Sequence, residues 1–179
     1  TVQLFNKNRD MKRTYTAYIN TTLQDDFVQL GTLDVPNVNV PNEKQAAFFA
    51  AREKFVAYGG ARGGGKSWAL RRKLVGLCLC YPGICCLLLR RTLTELKANH
   101  IRPLLEEYGA ILSWNAGEMA FVFANGSRIL CGYCSCDRDL LRYQGQEYDI
   151  IAIDEATQLR EEHFCALGAC LRGVRPFPR

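Results

Sequence analysis

No stretch of this 179-residue chain approaches the ~20 consecutive apolar residues of a membrane-spanning helix, so no membrane partner is expected. There is no internal repeat, which sets aside repeat architectures. Neither is there a secretory-leader pattern, nor a second CxxC to complete a zinc ribbon with Cys131, Cys134 and Cys136. Those three thiols have no fourth ligand at a familiar spacing, and strand and loop thiols are the expectation for them. The nine cysteines are an odd number set mostly in apolar runs, and reduced thiols in a cytoplasm-like compartment follow from that. The basic excess is small: a formal net charge of +5, scattered over Arg71-Arg72, Arg90-Arg91 and the tail Arg172, Arg175 and Arg179. That is compatible with a polyanion such as DNA and equally with a solvated basic surface.

What is present is the composition of a globular domain, 48% hydrophobic and 23% charged. Residues 1–40 mix Thr, Asn and Val with short charged clusters, and Pro36 and Pro41 interrupt any regular element. They are read as an arm or linker with little structure of its own. Residues 41–179 are read as one domain. The start at Thr1 rather than Met and the abrupt Arg175-Pro176-Phe177-Pro178-Arg179 ending give the whole chain the look of a piece of something longer.

From Pro41 on, Asn42 can cap a helix through Gln45, Phe48 and Phe49. The apolar run Phe55-Val56-Ala57-Tyr58 then predicts a short strand leading into a glycine-rich loop. Ser67 to Cys80 predicts a helix with Leu70, Leu74, Leu77 and Cys78 inward and Arg71, Arg72 and Lys73 mostly outside. Ile84 to Leu89 is an unbroken apolar run, as in a strand covered on both faces of a parallel sheet. Thr92-Leu93-Thr94-Glu95 is a capping box opening a second helix toward Tyr108, which Pro103 kinks or splits. Short strands at 111–114, 119–123 and 128–131, separated by Asn115-Ala116-Gly117 and Asn125-Gly126, carry hairpin signals. Tyr148 to Ile153 predicts a second buried strand, and a last helix covers about 160–171. The pattern is that of an α/β fold of the P-loop NTPase type, a mainly parallel sheet flanked by helices with an antiparallel hairpin insertion.

Gly60-Ala61-Arg62-Gly63-Gly64-Gly65-Lys66-Ser67 satisfies GxxxxGK[ST] between a predicted strand and a predicted helix. Its glycines let backbone N–H groups turn inward around phosphates at the positive end of the next helix. Lys66 reaches the β- and γ-phosphates of ATP, and the Ser67 hydroxyl can ligate Mg²⁺. Asp154 stands at the carboxyl end of a buried strand, where it can hold the Mg²⁺ shell, and Glu155 beside it can polarise the attacking water. Arg62 lies where a guanidinium can meet the charge developing on the γ-phosphate, or face solvent or DNA. Gln45 carries an amide that matches the N6 and N7 edge of adenine, although a glutamine on a helix surface is commonplace.

From about Pro41 to Arg179 these residues resemble the large subunit of tailed-phage terminases, the motor that packages DNA into procapsids. Pro41 to Gln45 is similar to that family's adenine motif, and Gly59 to Ser67 to its arginine-containing Walker A loop. Leu88-Leu89-Arg90-Arg91-Thr92 with Glu95-Leu96 resembles the segment after its second strand. The most specific likeness is Tyr143-Gln144-Gly145-Gln146-Glu147-Tyr148-Asp149 leading into Ile153-Asp154-Glu155-Ala156-Thr157-Gln158. The resemblance implies ATP-driven translocation of double-stranded DNA by a homo-oligomeric ring on a portal protein, with a small terminase subunit as partner, in the host cytoplasm. It also implies a coupling motif and a nuclease domain beyond Arg179, so cleavage is not expected of residues 1–179. Two other functions use similar parts: a helicase-like DNA-remodelling ATPase, and a module that binds nucleotide without turning it over.

Overall fold

The computed structural model describes residues 2–6, 14–20 and 27–34 as backbone, and residues 41–51, 53–60 and 63–173 in full. The chain divides into two units, Thr1–Tyr58 and Gly59–Arg179, each taken on its own below.

In the first unit, β1 (Val2–Asn6), β2 (Thr14–Asn20) and β3 (Phe27–Asp34) form an antiparallel three-stranded sheet. An arm with little structure is the sequence expectation here; the strands fall on runs rich in β-branched and aromatic residues, such as Thr14-Tyr15-Thr16-Ala17-Tyr18-Ile19. Helix α1 (Glu43–Ala50) starts where Asn42 predicts it. The Asn42 side chain accepts from the Gln45 N–H at 2.9 Å, and Gln45 Oε1 accepts from the Asn42 N–H at 2.9 Å, a reciprocal capping box. Phe48 is buried and stacks on Tyr58 with ring centroids 4.8 Å apart.

The strand predicted at 55–58 is not formed: these residues are irregular, with Phe55 69% exposed, and belong to neither sheet. A strand is held by ladder bonds to a neighbour, and an apolar run without one among the described residues has no reason to extend.

The second unit is built on a five-stranded sheet ordered β5 (Ser113–Asn115), β6 (Ala120–Val122), β7 (Arg128–Tyr133), β4 (Cys85–Arg90), β8 (Ile150–Ile153). β4 runs parallel to β7 and β8, whereas β5–β6 and β6–β7 are antiparallel. The sheet is therefore mixed, which corrects the expectation of a mainly parallel one. The hairpin strands are not a separate insertion but extend the same sheet through β7.

Burial explains the unbroken apolar run of β4. Cys86 and Leu88 pack on one face with Leu74, Val75 and Cys78 of α2 (Lys66–Cys80) and with Leu96, Ile101 and Leu104. Cys85, Leu87 and Leu89 pack on the other with Tyr143, Tyr148, Leu167 and Cys170. Leu87, Leu88 and Leu89 are at most 1% exposed, and each such side chain contributes about 1.5–3 kcal/mol. On the second face, α5 (Asp137–Leu140) is tied to α6 (Glu161–Gly168) by His163, whose ring lies 3.5 Å from Cys134 Sγ and 2.7 Å from Asp137 Oδ1.

After β4, Thr92 caps α3 (Leu93–Leu96), accepting from the Glu95 N–H at 3.3 Å. A π turn over Lys97–Ile101 then passes into α4 (Arg102–Tyr108). The break expected at Pro103 is thus a π turn placed just before it. Proline has no N–H, so the Asn99 carbonyl loses its α-helical donor. Arg71 Nη1 of α2 donates to that carbonyl instead, at 2.6 Å, and Arg71 Nη2 pairs with Glu107 at 3.1 Å. Arg71 is consequently buried rather than outside.

Candidate nucleotide site

The glycine-rich loop closes on itself. Gly63 and Gly65 have φ of +77° and +70°, and Gly65 is the left-handed residue on which α2 begins, a conformation open to glycine and costly to most others. Lys66 Nζ donates to the Gly60 carbonyl at 2.9 Å, bridging the two ends of the loop. Ala61 and Arg62 lie outside the described residues.

Two residues singled out by sequence meet here. Ser67 Oγ, at the start of α2, donates to Asp154 Oδ2 at 2.9 Å, joining positions 87 residues apart. β8 delivers Asp154 to this point because it lies parallel to β4, with Ile153 opposite Leu89 and the Asp154 N–H donating to the Leu89 carbonyl at 2.9 Å.

Sequence reasoning did not anticipate the other two donors on Asp154 Oδ2: Arg90 Nη1 at 2.7 Å and His100 Nε2 at 2.8 Å. Arg90 is the last residue of β4, the strand beside β8. His100 is fully buried in the π turn. Its signal in the sequence is its spacing of four from both Leu96 and Leu104, which puts it on the apolar side of the helix. Burial pushes the Asp154 carboxyl up, but the His100 contact, the Ser67 hydroxyl and the Arg90 charge outweigh it and hold the group below the ordinary carboxylate range. Burial lowers His100, the Asp154 contact opposes it, and the Arg71 and Arg90 cations add to the lowering, leaving it below the usual histidine value.

Glu155 is exposed and adopts φ +55° and ψ +48°, a left-handed conformation that is unusual for glutamate. It lines an open cleft of about 400 Å³ together with Gly63–Ser67. Trp68, Arg71, Ala98, Asn99 and Pro103 line it as well. The structure thus brings Gly63, Gly64, Gly65, Lys66, Ser67 and Glu155 to one cleft, with Asp154 bonded to Ser67 behind it. Gln45 stands in the first unit and is described there only.

The oxygens present suit a hard divalent cation. Neighbouring oxygens of a Mg²⁺ octahedron with bonds of 2.0–2.1 Å lie roughly 2.9 Å apart, and the Ser67 hydroxyl and Asp154 carboxylate stand at 2.9 Å. Of the three donors on Oδ2, the Ser67 hydroxyl is the one that also carries lone pairs able to ligate a cation. Among the described residues no group of three or more His, Cys, Asp or Glu forms a metal cluster of its own. Among them, too, no helix is long and apolar enough to cross a membrane.

A helix that starts on a glycine-rich loop, with its first hydroxyl bonded to a strand-end carboxylate, is an arrangement whose backbone N–H groups can meet an anion. The family comparison makes this specific. Residues 57–167 match the model of the terminase large subunit, T4likevirus-type, N-terminal family, and the chain belongs to that family. Membership supports a role in a terminase that packages bacteriophage DNA. Searches of curated proteins and of solved structures return no match.

Proposed function

We propose that this chain is the ATP-binding and ATP-hydrolysing part of a phage DNA-packaging terminase, with the P-loop, or Walker A, at Gly60–Ser67 and the Walker B carboxylates at Asp154 and Glu155. The observation that carries the reading is the 2.9 Å bond between Ser67 and Asp154, beside Lys66 and Glu155.

In this reading Lys66 leaves the Gly60 carbonyl for the β- and γ-phosphates, and the N–H groups of Gly63, Gly64 and Gly65 donate to phosphate oxygens. Ser67 and Asp154 hold Mg²⁺, whose charge neutralises the phosphate oxygens when bound. Glu155 accepts a hydrogen bond from the attacking water and draws off its proton. Arg62 stabilises charge spreading over the γ-phosphate, and Gln45 reads adenine. Double-stranded DNA, a portal protein, a small terminase subunit and further copies of the chain in a ring are its partners, in the host cytoplasm. The test is calorimetric binding of ATP with Mg²⁺, followed by phosphate release with and without double-stranded DNA. Binding with turnover supports the reading, binding without turnover points to a nucleotide-dependent scaffold, and no binding overturns the site.

A further inference from the structure

We propose that His100 is a positioning residue that fixes the Asp154 carboxylate in the orientation that receives a divalent cation, an inference that rests on the nucleotide-site reading above. His100 is 0% exposed and its Nε2 lies 2.8 Å from Asp154 Oδ2, across 54 residues of sequence. The carboxylate has three donors, and they are not equivalent. Ser67 keeps lone pairs free for a cation while it donates to Oδ2, whereas Arg90 and His100 offer the carboxylate protons only and hold it from elements outside the glycine-rich loop. Arg90 arrives from β4, the neighbouring strand, and His100 from the π turn, so two separate elements hold the carboxylate.

The π turn has no other evident reason to place an imidazole there. Its flanking buried residues, Leu96, Ile101 and Leu104, are apolar. His100 Nδ1 is buried without a hydrogen-bond partner among the described residues, a cost that an apolar side chain would avoid. The turn is held independently of His100: Arg71 donates to the Asn99 carbonyl, and Asn99 Nδ2 donates to the Glu95 carbonyl at 2.9 Å. Removing the imidazole therefore leaves the backbone of the turn supported. The same Arg71 contact ties the turn to α2, whose first residues are Lys66 and Ser67. The turn joins the helix that follows the phosphate loop to the carboxylate that faces it.

The test uses the whole chain with Mn²⁺ as the probe and a non-hydrolysable ATP analogue, the bound Mn²⁺ being followed by electron paramagnetic resonance. The variants are His100→Gln, whose amide nitrogen reaches the Nε2 position, and His100→Asn, whose amide falls short of it. His100→Leu is carried alongside in case the asparagine variant does not fold. Loss of a group that orients a metal ligand weakens metal binding by roughly 10–100-fold. His100→Asn and His100→Leu should lose Mn²⁺ affinity on that scale, His100→Gln should recover most of it, and analogue binding measured in EDTA should stay within about twofold of the parent. Parent-like Mn²⁺ affinity in the asparagine or leucine variant overturns the proposal. So does an equal loss in all variants accompanied by weakened analogue binding in EDTA, which marks a structural role only. A parent chain that binds no Mn²⁺ with the analogue overturns the nucleotide-site reading and this one together. Parent binding with unchanged variants overturns this one alone.

Discussion

Glu155 should be a residue whose replacement strengthens the fold while abolishing the activity. Its φ of +55° and ψ of +48° place a non-glycine residue in the left-handed region, at a cost of about 1–2 kcal/mol. The side chain is exposed, so truncation removes little packing. Glu155→Gly relieves the strain but adds freedom to the unfolded chain, offsetting about 0.5–1 kcal/mol of the gain. The net is a stabilisation of about 0–1.5 kcal/mol, or a Tm rise of up to ~6 °C for a chain of this length. Glu155→Gln keeps the strain and removes the charge, so its Tm should match the parent while ATP turnover falls by at least ~10²-fold. The assay pairs thermal unfolding of the three proteins with steady-state phosphate release at saturating ATP and Mg²⁺. A lower Tm for Glu155→Gly would refute the strain argument, and parent-level turnover in Glu155→Gln would remove Glu155 from the chemistry.

Lys66→Ala deletes the cation that spans the loop, and calorimetry with Mg²⁺ should show ATP affinity reduced by roughly 10–100-fold, the worth of a charge-assisted hydrogen bond. Arg62→Ala should lower single-turnover hydrolysis far more than ATP binding, with Arg62→Lys recovering only part; a normal rate in the alanine variant excludes a role in the transition state. Arg71→Met strips the bonds to the Asn99 carbonyl and Glu107, and should cost about 2–3 kcal/mol, read as a lower urea midpoint at unchanged slope. Asp139 accepts from the Ser135 N–H and hydroxyl at 2.9 and 2.8 Å and from the Cys136 N–H at 3.3 Å. Burial raises its carboxyl, but these bonds and Arg142 pull it below its ordinary 3.8. A depressed carboxylate stabilises the fold above its unfolded value and loses that contribution as pH falls through the folded one. Asp139→Ala should therefore be less stable than the parent at pH 7, and the gap should close below pH 4; a gap that does not depend on pH assigns the loss to packing.

The parts of the site legible in the sequence are those fixed by their own backbone. Ser67 lies in the first turn of α2 and Asp154 follows β8, so a helix start and a strand end were enough to bring them to the same place. Arg90 and His100 were not legible as partners of Asp154, because that role depends on which strand lies beside β8 and on a π turn that rotates the helix after Leu96. The cap at Asn42 forms for the same local reason, whereas at Thr92 the N-cap forms but Glu95 Oε2 accepts from the Thr92 hydroxyl at 2.9 Å instead of closing a capping box. In Gln45 the cap supplies a structural task, since its Oε1 closes the capping box.

The sheet shows where local reading fails. The hairpin residues Asn115-Ala116-Gly117 and Asn125-Gly126 predicted antiparallel strands, and those strands form, but β5 and β6 are only three residues each. So short a hairpin is marginal on its own in water and must borrow stability from a larger sheet. β7 is twice as long and has one side occupied by β4 in parallel, so its other side is the place where β6 can add. Trp114 and Phe121 then meet across β5 and β6 with ring centroids 4.6 Å apart, and Phe121 is fully buried in the core beneath. The short turns make β5, β6 and β7 antiparallel neighbours, and the shortness of β5 and β6 sends the hairpin to the far side of β7, so the sheet is mixed while the other side of β4 carries β8 and its carboxylates to Ser67.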